Sequence, residues 1–356
     1  MLRRTPFSLW HLRRLTDRVG LLRRAEFGEP DSFGGYDTVD NALALRLCAR
    51  LFAQGMRDDA AAWASIYLRF LFQAFRRGAG FCAGREPLGN WPDTMLTLAE
   101  LGQAARALAA VSNSDLPGVI RDRAQTLWNA VVPDFAKIRC PRAAAHWLLA
   151  IGELPPGEQR KVEGAAARLA NWLVEDCHHA LRTSDWEWFD ERWLPGDACL
   201  PHGLWAAYAV LGEQRHARVA TATTEFLIQQ LFEDGLHVPV GSRGGWARHC
   251  SKGVFDQLPS DVAATAEMLS YAYDVTGSCR YAEYADYARA WFTGNNVKGL
   301  CMLDETTGGV YDALTPAGHA RGQGATATVS YLLSVTAARA LQAMPVVDLG
   351  TVVCVG

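Results

Sequence analysis

Residues 41–75, NALALRLCARLFAQGMRDDAAAWASIYLRFLFQAF, contain two helix-length runs separated by a turn. In the first, Ala42, Leu45, Leu47, Leu51 and Phe52 fall close to helical spacing, and Asp58-Asp59 then precedes a second apolar run over 61–75. The pair reads as a helical hairpin. Comparable pairs open near residues 37, 92, 140, 199, 258 and 322, so the unit recurs roughly every 50 to 65 residues.

The stretch after Pro92-Asp93 carries an apolar face of Leu96, Leu98, Leu101, Ala105 and Leu108, and its partner is 117–136. Runs 143–152 and 158–181 flank Leu154-Pro155-Pro156-Gly157, a stop-and-restart signal. Runs 200–212 and 214–232 form the next pair. Leu258-Pro259-Ser260-Asp261 opens another, and Thr276-Gly277-Ser278 separates its first helix from 280–293. The last long helix, 324–343, has no downstream partner, and segment 7–18 supplies one if the ends of the chain meet. Helix-pair repeats bury their apolar faces only against neighbouring pairs. Six pairs therefore predict an all-α fold, a closed (α/α)6 toroid forming a single domain over 1–344. Residues 345–356, apolar and β-branched, are set apart as a C-terminal tail.

With 49% hydrophobic residues the chain has ample core, and a net charge of -3 leaves no basic footprint for nucleic acid. Nine cysteines, an odd number with no C-x-x-C pair, read as core residues in a reducing compartment. The N-terminus lacks the apolar run of a secretory signal, and no segment approaches about 18 uninterrupted apolar residues. The expectation is a cytoplasmic protein with no membrane span.

The connections are unequal. Turns at 55–58, 112–117, 153–157, 212–214 and 276–279 are short, whereas links 77–91, 182–198, 233–257 and 294–321 are long and rich in Gly, Trp, Asp and His. In a hairpin ring the turns within pairs point to one end and the links between pairs to the other, so the long links should gather at one mouth.

Four polar clusters belong to that mouth. Gly34-Gly35-Tyr36-Asp37-Thr38-Val39-Asp40-Asn41 precedes the first repeat helix and is equally a glycine turn with an N-cap. Gly89-Asn90-Trp91-Pro92-Asp93 is equally a Pro-led helix start with an acidic first turn. The segment 185–197, DWEWFDERWLPGD, packs Trp186, Trp188 and Trp193 beside five carboxylates, a combination suited to sugar rings: indole stacks on the apolar face, and acids bond hydroxyls or supply an acid/base pair. The fourth cluster is spread over Gly245-Trp246, Asp256-Gln257, Tyr311-Asp312 and Gly322-Gln323-Gly324. Gly241-Ser242-Arg243-Gly244-Gly245 lacks the Lys-Ser/Thr of a phosphate loop, the histidines have no metal-ligand spacing, and no G-x-S-x-G elbow occurs, so no metal and no cofactor are expected.

In this order the clusters resemble a family of bacterial domains of the six-hairpin glycosidase-like type, found attached to or encoded near glycosyltransferases. The resemblance runs through His11-Leu12 with Thr16-Asp17 and Gly20-Leu21, then Gly35-Tyr36-Asp37-Thr38-Val39-Asp40-Asn41, Trp186-Glu187-Trp188-Phe189-Asp190, Gly245-Trp246, Phe255-Asp256-Gln257-Leu258-Pro259 and Gly324-Ala325-Thr326-Ala327-Thr328. The departures fall on charged positions. Val39 stands for an aspartate, Leu43 for an arginine, and Asp190 and Thr326 for glutamates. A threonine hydroxyl is far too weak an acid to replace a carboxylic acid near neutral pH.

The resemblance implies a glycoside-hydrolase-like protein acting on a bacterial poly- or oligosaccharide. Asp190, Glu191 and Asp197 are the acid/base or nucleophile candidates, with Asp40 or Asp93 opposing. Trp186, Trp188, Trp193 and Trp246 are the expected stacking walls, and Tyr36, Asn41, Trp91, Asp256, Gln257 and Asp312 further substrate contacts. The competing expectation is a catalytically degenerate sugar-binding or scaffold module partnering a glycosyltransferase. A third, a toroid without ligand, predicts that the aromatic loop packs shut.

Overall fold

The computed structural model describes residues 8–183 and 185–337. The tail 345–356 and the end of the predicted last helix lie outside them. The first repeat supplies α2 (Thr38–Ala53) and α3 (Arg57–Ala74). Four further hairpins follow: α4 (Leu98–Ser112) with α5 (Gly118–Val131), α6 (Pro141–Gly152) with α7 (Pro156–Trp172), α8 (Cys199–Leu211) with α9 (Gln214–Leu231), and α10 (Pro259–Thr276) with α11 (Cys279–Ala290). The sixth pair joins α12 (Ala325–Thr336) to α1 (Trp10–Leu15), the ring closure expected from the unpaired last helix.

Helices α2, α4, α6, α8, α10 and α12 each pack on the next, and α12 returns to α2, so six inner helices make a closed barrel with the others outside it. Their sequences show why. In α12 every residue but Thr326 is buried, as a helix enclosed on all sides requires, whereas α7 buries only Ala165, Ala166, Leu169 and Ala170 along one stripe. The barrel is tight where side chains vanish: a Cβ on Gly203 would lie 2.7 Å from Ala145 Cα, and one on Gly102 2.9 Å from His146 Cβ.

Local signals fix the helix ends. Asp37 caps α2 by accepting from the Val39 and Asp40 amides, and Pro141 and Pro259 sit in the first turns of α6 and α10. Gly212 and Gly277, at φ 69° and 72°, end α8 and α10 in left-handed geometry. Two boundaries depart from expectation. Pro92-Asp93 does not start α4; Thr97 and Glu100 do, through a reciprocal capping box. Gly34 and Gly35 lie not in a turn but in the strand β2 (Glu29–Asp37), which pairs antiparallel with β1 (Leu22–Glu26) and with Gly84–Arg85. Helix α7 continues as a π-helical stretch, Leu173–His179.

The long links all enter the N-terminal ends of inner helices, and the short turns cluster at the opposite end. The eight described cysteines are unpaired, and no described helix is long and apolar enough to cross a membrane.

Candidate functional site

Inside the barrel, at the N-terminal ends of the inner helices, lies a cavity of about 320 Å³, within the size range of small-molecule sites. Its lining is written in helical spacing. Asp40, Leu43 and Arg46 descend one face of α2, Arg142, His146 and Leu149 one face of α6, and Ser260, Ala264 and Glu267 one face of α10. Gln103 and Arg106 of α4, Cys199 and His202 of α8, and Thr326 and Ser330 of α12 complete the ring.

At the mouth, Thr326 donates to Asp40 Oδ1 at 2.8 Å, and burial with the neighbouring Asp37 charge pushes the Asp40 carboxyl up to about 7. Opposite, Arg142 donates from Nε to Asp197 Oδ1 (2.5 Å) and from Nη2 to the Pro195 carbonyl (2.8 Å). The loop Leu194–Gly196 that forms this wall is pinned from behind. Asp197 Oδ2 accepts the Leu194 amide at 2.7 Å, and Asp261 Oδ1 accepts the Gly196 amide at 2.7 Å. Burial raises Asp261 to about 7.

The floor is a charged layer. Arg46 Nη2 meets Glu267 Oε2 at 2.7 Å, and Arg50 Nη1 meets Glu267 Oε1 at 2.6 Å. Burial alone would raise Glu267; Arg46, Arg50 and Arg106 overcome it and hold the carboxyl well below its ordinary range. Arg106 spends its Nε on Glu153 at 3.0 Å. His202 Nε2 is buried with no partner among the described residues, and burial together with Arg106 drives its pKa far down. His146 is pushed to about 3 by burial, Arg106, Arg142 and Arg46. Both imidazoles are therefore neutral across the physiological range. Beyond the floor, at the opposite end of the barrel, a second cavity of about 350 Å³ shares Arg106, His202 and Glu267 with the first.

The structure sorts the carboxylates predicted to act. Asp40 lines the cavity, and Asp197 lies behind its wall, committed to Arg142. Asp93, Asp190 and Glu191 are exposed and do not line it; Glu191 pairs with Arg248 at 3.2 Å. Of the expected stacking walls, Trp186, Trp188 and Trp193 are core, and Trp246 is half-buried against them. Trp188 and Trp193 stack on each other at 3.7 Å with both rings buried, Trp186 meets Trp246 edge-on at 5.1 Å, and Phe226 fills the space beside them. Burying indole against indole removes more apolar surface than leaving it for a ligand, so the aromatic loop packs shut.

Most of the other predicted contacts are also structural. Asn41 spends its amide on Leu21 and Asp37 backbone groups, Tyr36 donates to Asp17 Oδ2 at 2.7 Å, and Trp91 packs on Phe70 at 5.1 Å. Asp256 pairs with Arg243 at 3.2 Å, Gln257 Oε1 accepts from Trp291 Nε1 at 2.7 Å, and Asp312 Oδ1 accepts the Gly324 amide at 2.7 Å. None of these lines the cavity. Sequence reasoning missed Arg46, Arg106, Arg142, His146, His202 and Glu267. Their signal was a polar residue at every helical turn of otherwise apolar inner helices.

No protein-family model matches the sequence, and no curated protein matches it. Solved structures do match in shape. The cellobiose 2-epimerase of Bacillus thermoamylovorans superposes with a TM-score of 0.70 at 13% identity, covering 93% of this chain and 96% of that one. A D-mannose isomerase gives 0.66 at 14% identity over 92% and 93%. An α-1,6-mannanase of Salegentibacter gives 0.62 at 11% identity over 92% and 95%. These likenesses show the fold: the chain is an (α/α)6 toroid.

Proposed function

We propose that the protein is a carbohydrate-active enzyme working by proton transfer at the reducing carbons of a sugar held in the axial cavity. The observation that carries the reading is a pair of neutral imidazoles, His146 and His202, facing a cavity that also presents Arg46, Arg106 and Arg142. Epimerising or isomerising an aldose requires an unprotonated base to take the proton from C2, leaving its electron pair in a C1–C2 enediolate, and hydrogen-bond donors to stabilise that charge. Returning the proton to C1 gives a ketose, and returning it to the other face of C2 gives the epimer. His202, on the floor, is the proposed base, and His146 the proton carrier on the wall. The solved structures of like shape include proteins named as an epimerase and an isomerase of sugars, which accords with this chemistry.

Glycoside hydrolysis, the reading first drawn from the sequence, needs two carboxylates free to act across the scissile bond. Asp40 and Glu267 are the carboxylates lining the cavity, and Glu267 is engaged by Arg46 and Arg50. One observation favours the hydrolytic alternative: Asp40, raised to about 7, is poised as a general acid. The cytoplasm is the proposed compartment, consistent with the unpaired cysteines.

Incubating the protein with free aldoses in D₂O decides between these readings. Deuterium entering at C2, followed by NMR, is the expected result. New reducing ends released from an oligosaccharide without exchange would replace it with hydrolysis. Sugar binding with neither reaction would leave a binding module serving a glycosyltransferase.

A further inference from the structure

Asp37 and Asp312 both lie close enough to Asp40 for their charges to raise its carboxyl. Those two neighbours have structural work. Asp37 Oδ1 accepts the Val39 and Asp40 amides at the cap of α2, and Asp312 Oδ1 accepts the Gly324 amide at the start of α12. Asp40 caps nothing. It is 3% exposed and lines the axial cavity, which Asp37 and Asp312 do not, and its carboxyl has one hydrogen-bond partner among the described residues, the Thr326 hydroxyl on Oδ1. Oδ2 and the second lone pair of Oδ1 are left for a ligand. Glu267, the other carboxylate of the cavity, is held on the floor by Arg46 and Arg50. Burial and the Asp37 charge keep the acid form of Asp40 present near neutral pH.

A pyranose has no carbonyl, so its C2 proton is not acidic until the ring opens. Opening moves two protons: one leaves the anomeric O1, and one arrives at the ring O5. These oxygens share one carbon, as the two carboxyl oxygens do, so a single protonated carboxyl can serve both ends. Resting on the reading of the axial cavity as a sugar site, we propose that the protein has a second activity, aldose mutarotation, with Asp40 as its catalytic residue and Thr326 as the residue that positions it. Asp40 Oδ2 gives its proton to O5 as the C1–O5 bond breaks, Oδ1 takes the proton of O1, and C1–O1 becomes the carbonyl. Closure on the other face of C1 reverses both transfers and yields the other anomer. The carboxyl is neutral before and after each step, as a buried site favours.

The test follows freshly dissolved α-D-glucose, α-D-galactose and α-D-mannose by polarimetry with the full-length protein, and C2 exchange of the same sugars in D₂O by NMR. For at least one sugar, anomer interconversion should run roughly tenfold or more faster than in protein-free buffer. Asp40→Asn, shown folded by circular dichroism, should lose that acceleration. Thr326→Val should weaken it and Thr326→Ser restore it, whereas Asp190→Asn, away from the cavity, should keep it. Asp40→Asn should also slow C2 exchange of the hexose roughly tenfold more than that of D-glyceraldehyde, which has no ring to open. No acceleration, or acceleration that survives Asp40→Asn, would overturn the inference, and C2 exchange in the same protein would still uphold the proton-transfer reading. Acceleration without C2 exchange would overturn that reading and leave this inference standing.

Discussion

Arg46 of α2 and Glu267 of α10 meet inside the barrel at 2.7 Å, 221 positions apart in sequence. The contact ties together two walls of the ring that flank α12 and closes the floor of the cavity. Removing one partner leaves the other charge buried and unpaired. Glu267→Gln should therefore cost about 3–5 kcal/mol of stability, read as a lowered urea midpoint with unchanged slope. A loss within about 0.5 kcal/mol, the ordinary range of a surface substitution, would mean that the layer is solvated.

Asp261 sets a pH dependence. Its carboxyl is raised from 3.8 to about 7, so the folded state holds the proton more tightly than the unfolded chain. The associated stabilisation is complete below pH 3.8 and is lost as the pH climbs through 7. Asp261→Asn keeps the acceptor for the Gly196 amide and removes the charge. The variant should melt about 2 °C or more above the wild type at pH 8 and show no such advantage at pH 4. Scanning calorimetry at the two pH values decides, and an equal difference at both would refute the assignment.

Trp188 supports the protein instead of gripping a ligand. Trp188→Ala should cost about 3–5 kcal/mol, the usual loss for a buried large aromatic. A glycan-array or calorimetric comparison should find sugar affinity unchanged once the variant is measured well below its melting temperature. A selective loss of affinity in a stable variant would restore the stacking role first read from the sequence.

Asp190 and His202 make a contrasting pair. Asp190 is exposed away from the cavity, so Asp190→Asn should leave C2 exchange at the wild-type rate. His202→Gln should lower it about 10²–10⁴-fold, the share usually carried by a general base. The opposite outcome would move the chemistry from the axis to the loop 185–197.

The hairpin repeat was legible because apolar spacing along α2 and α3 or α8 and α9 is a property of each segment alone. So was the closure by the N-terminal segment, since a ring of pairs cannot leave α12 unpartnered. The site was not legible in the same way. Trp186, Trp188 and Trp193 beside acids compose a sugar platform or a sealed core equally well; only the arrangement of Phe226 and Trp246 around them, set by distant helices, selects the core. Conversely, Arg46, His146 and His202 each look like isolated polar interruptions. They become a constellation when six helices from the whole chain turn the same face inward. Thr326 carries the lesson furthest. Judged as a lost acid it suggested decay, yet in place it is the donor that bonds Asp40.

The seam between α1 and α12 also dictates a schedule. His11 Nε2 bonds the carbonyl of Gln323 at 2.7 Å, 312 positions away, and Thr326 reaches Asp40 from just beyond it. During synthesis the earlier hairpins can dock as they leave the ribosome, but the side of α1 that meets α12 must wait until α12 has been made. The cavity has no sixth wall before that moment. Nascent chains released early would thus carry an open groove lined with arginine and histidine, exposed to solvent and to chaperones, and an amphipathic first helix in search of the last.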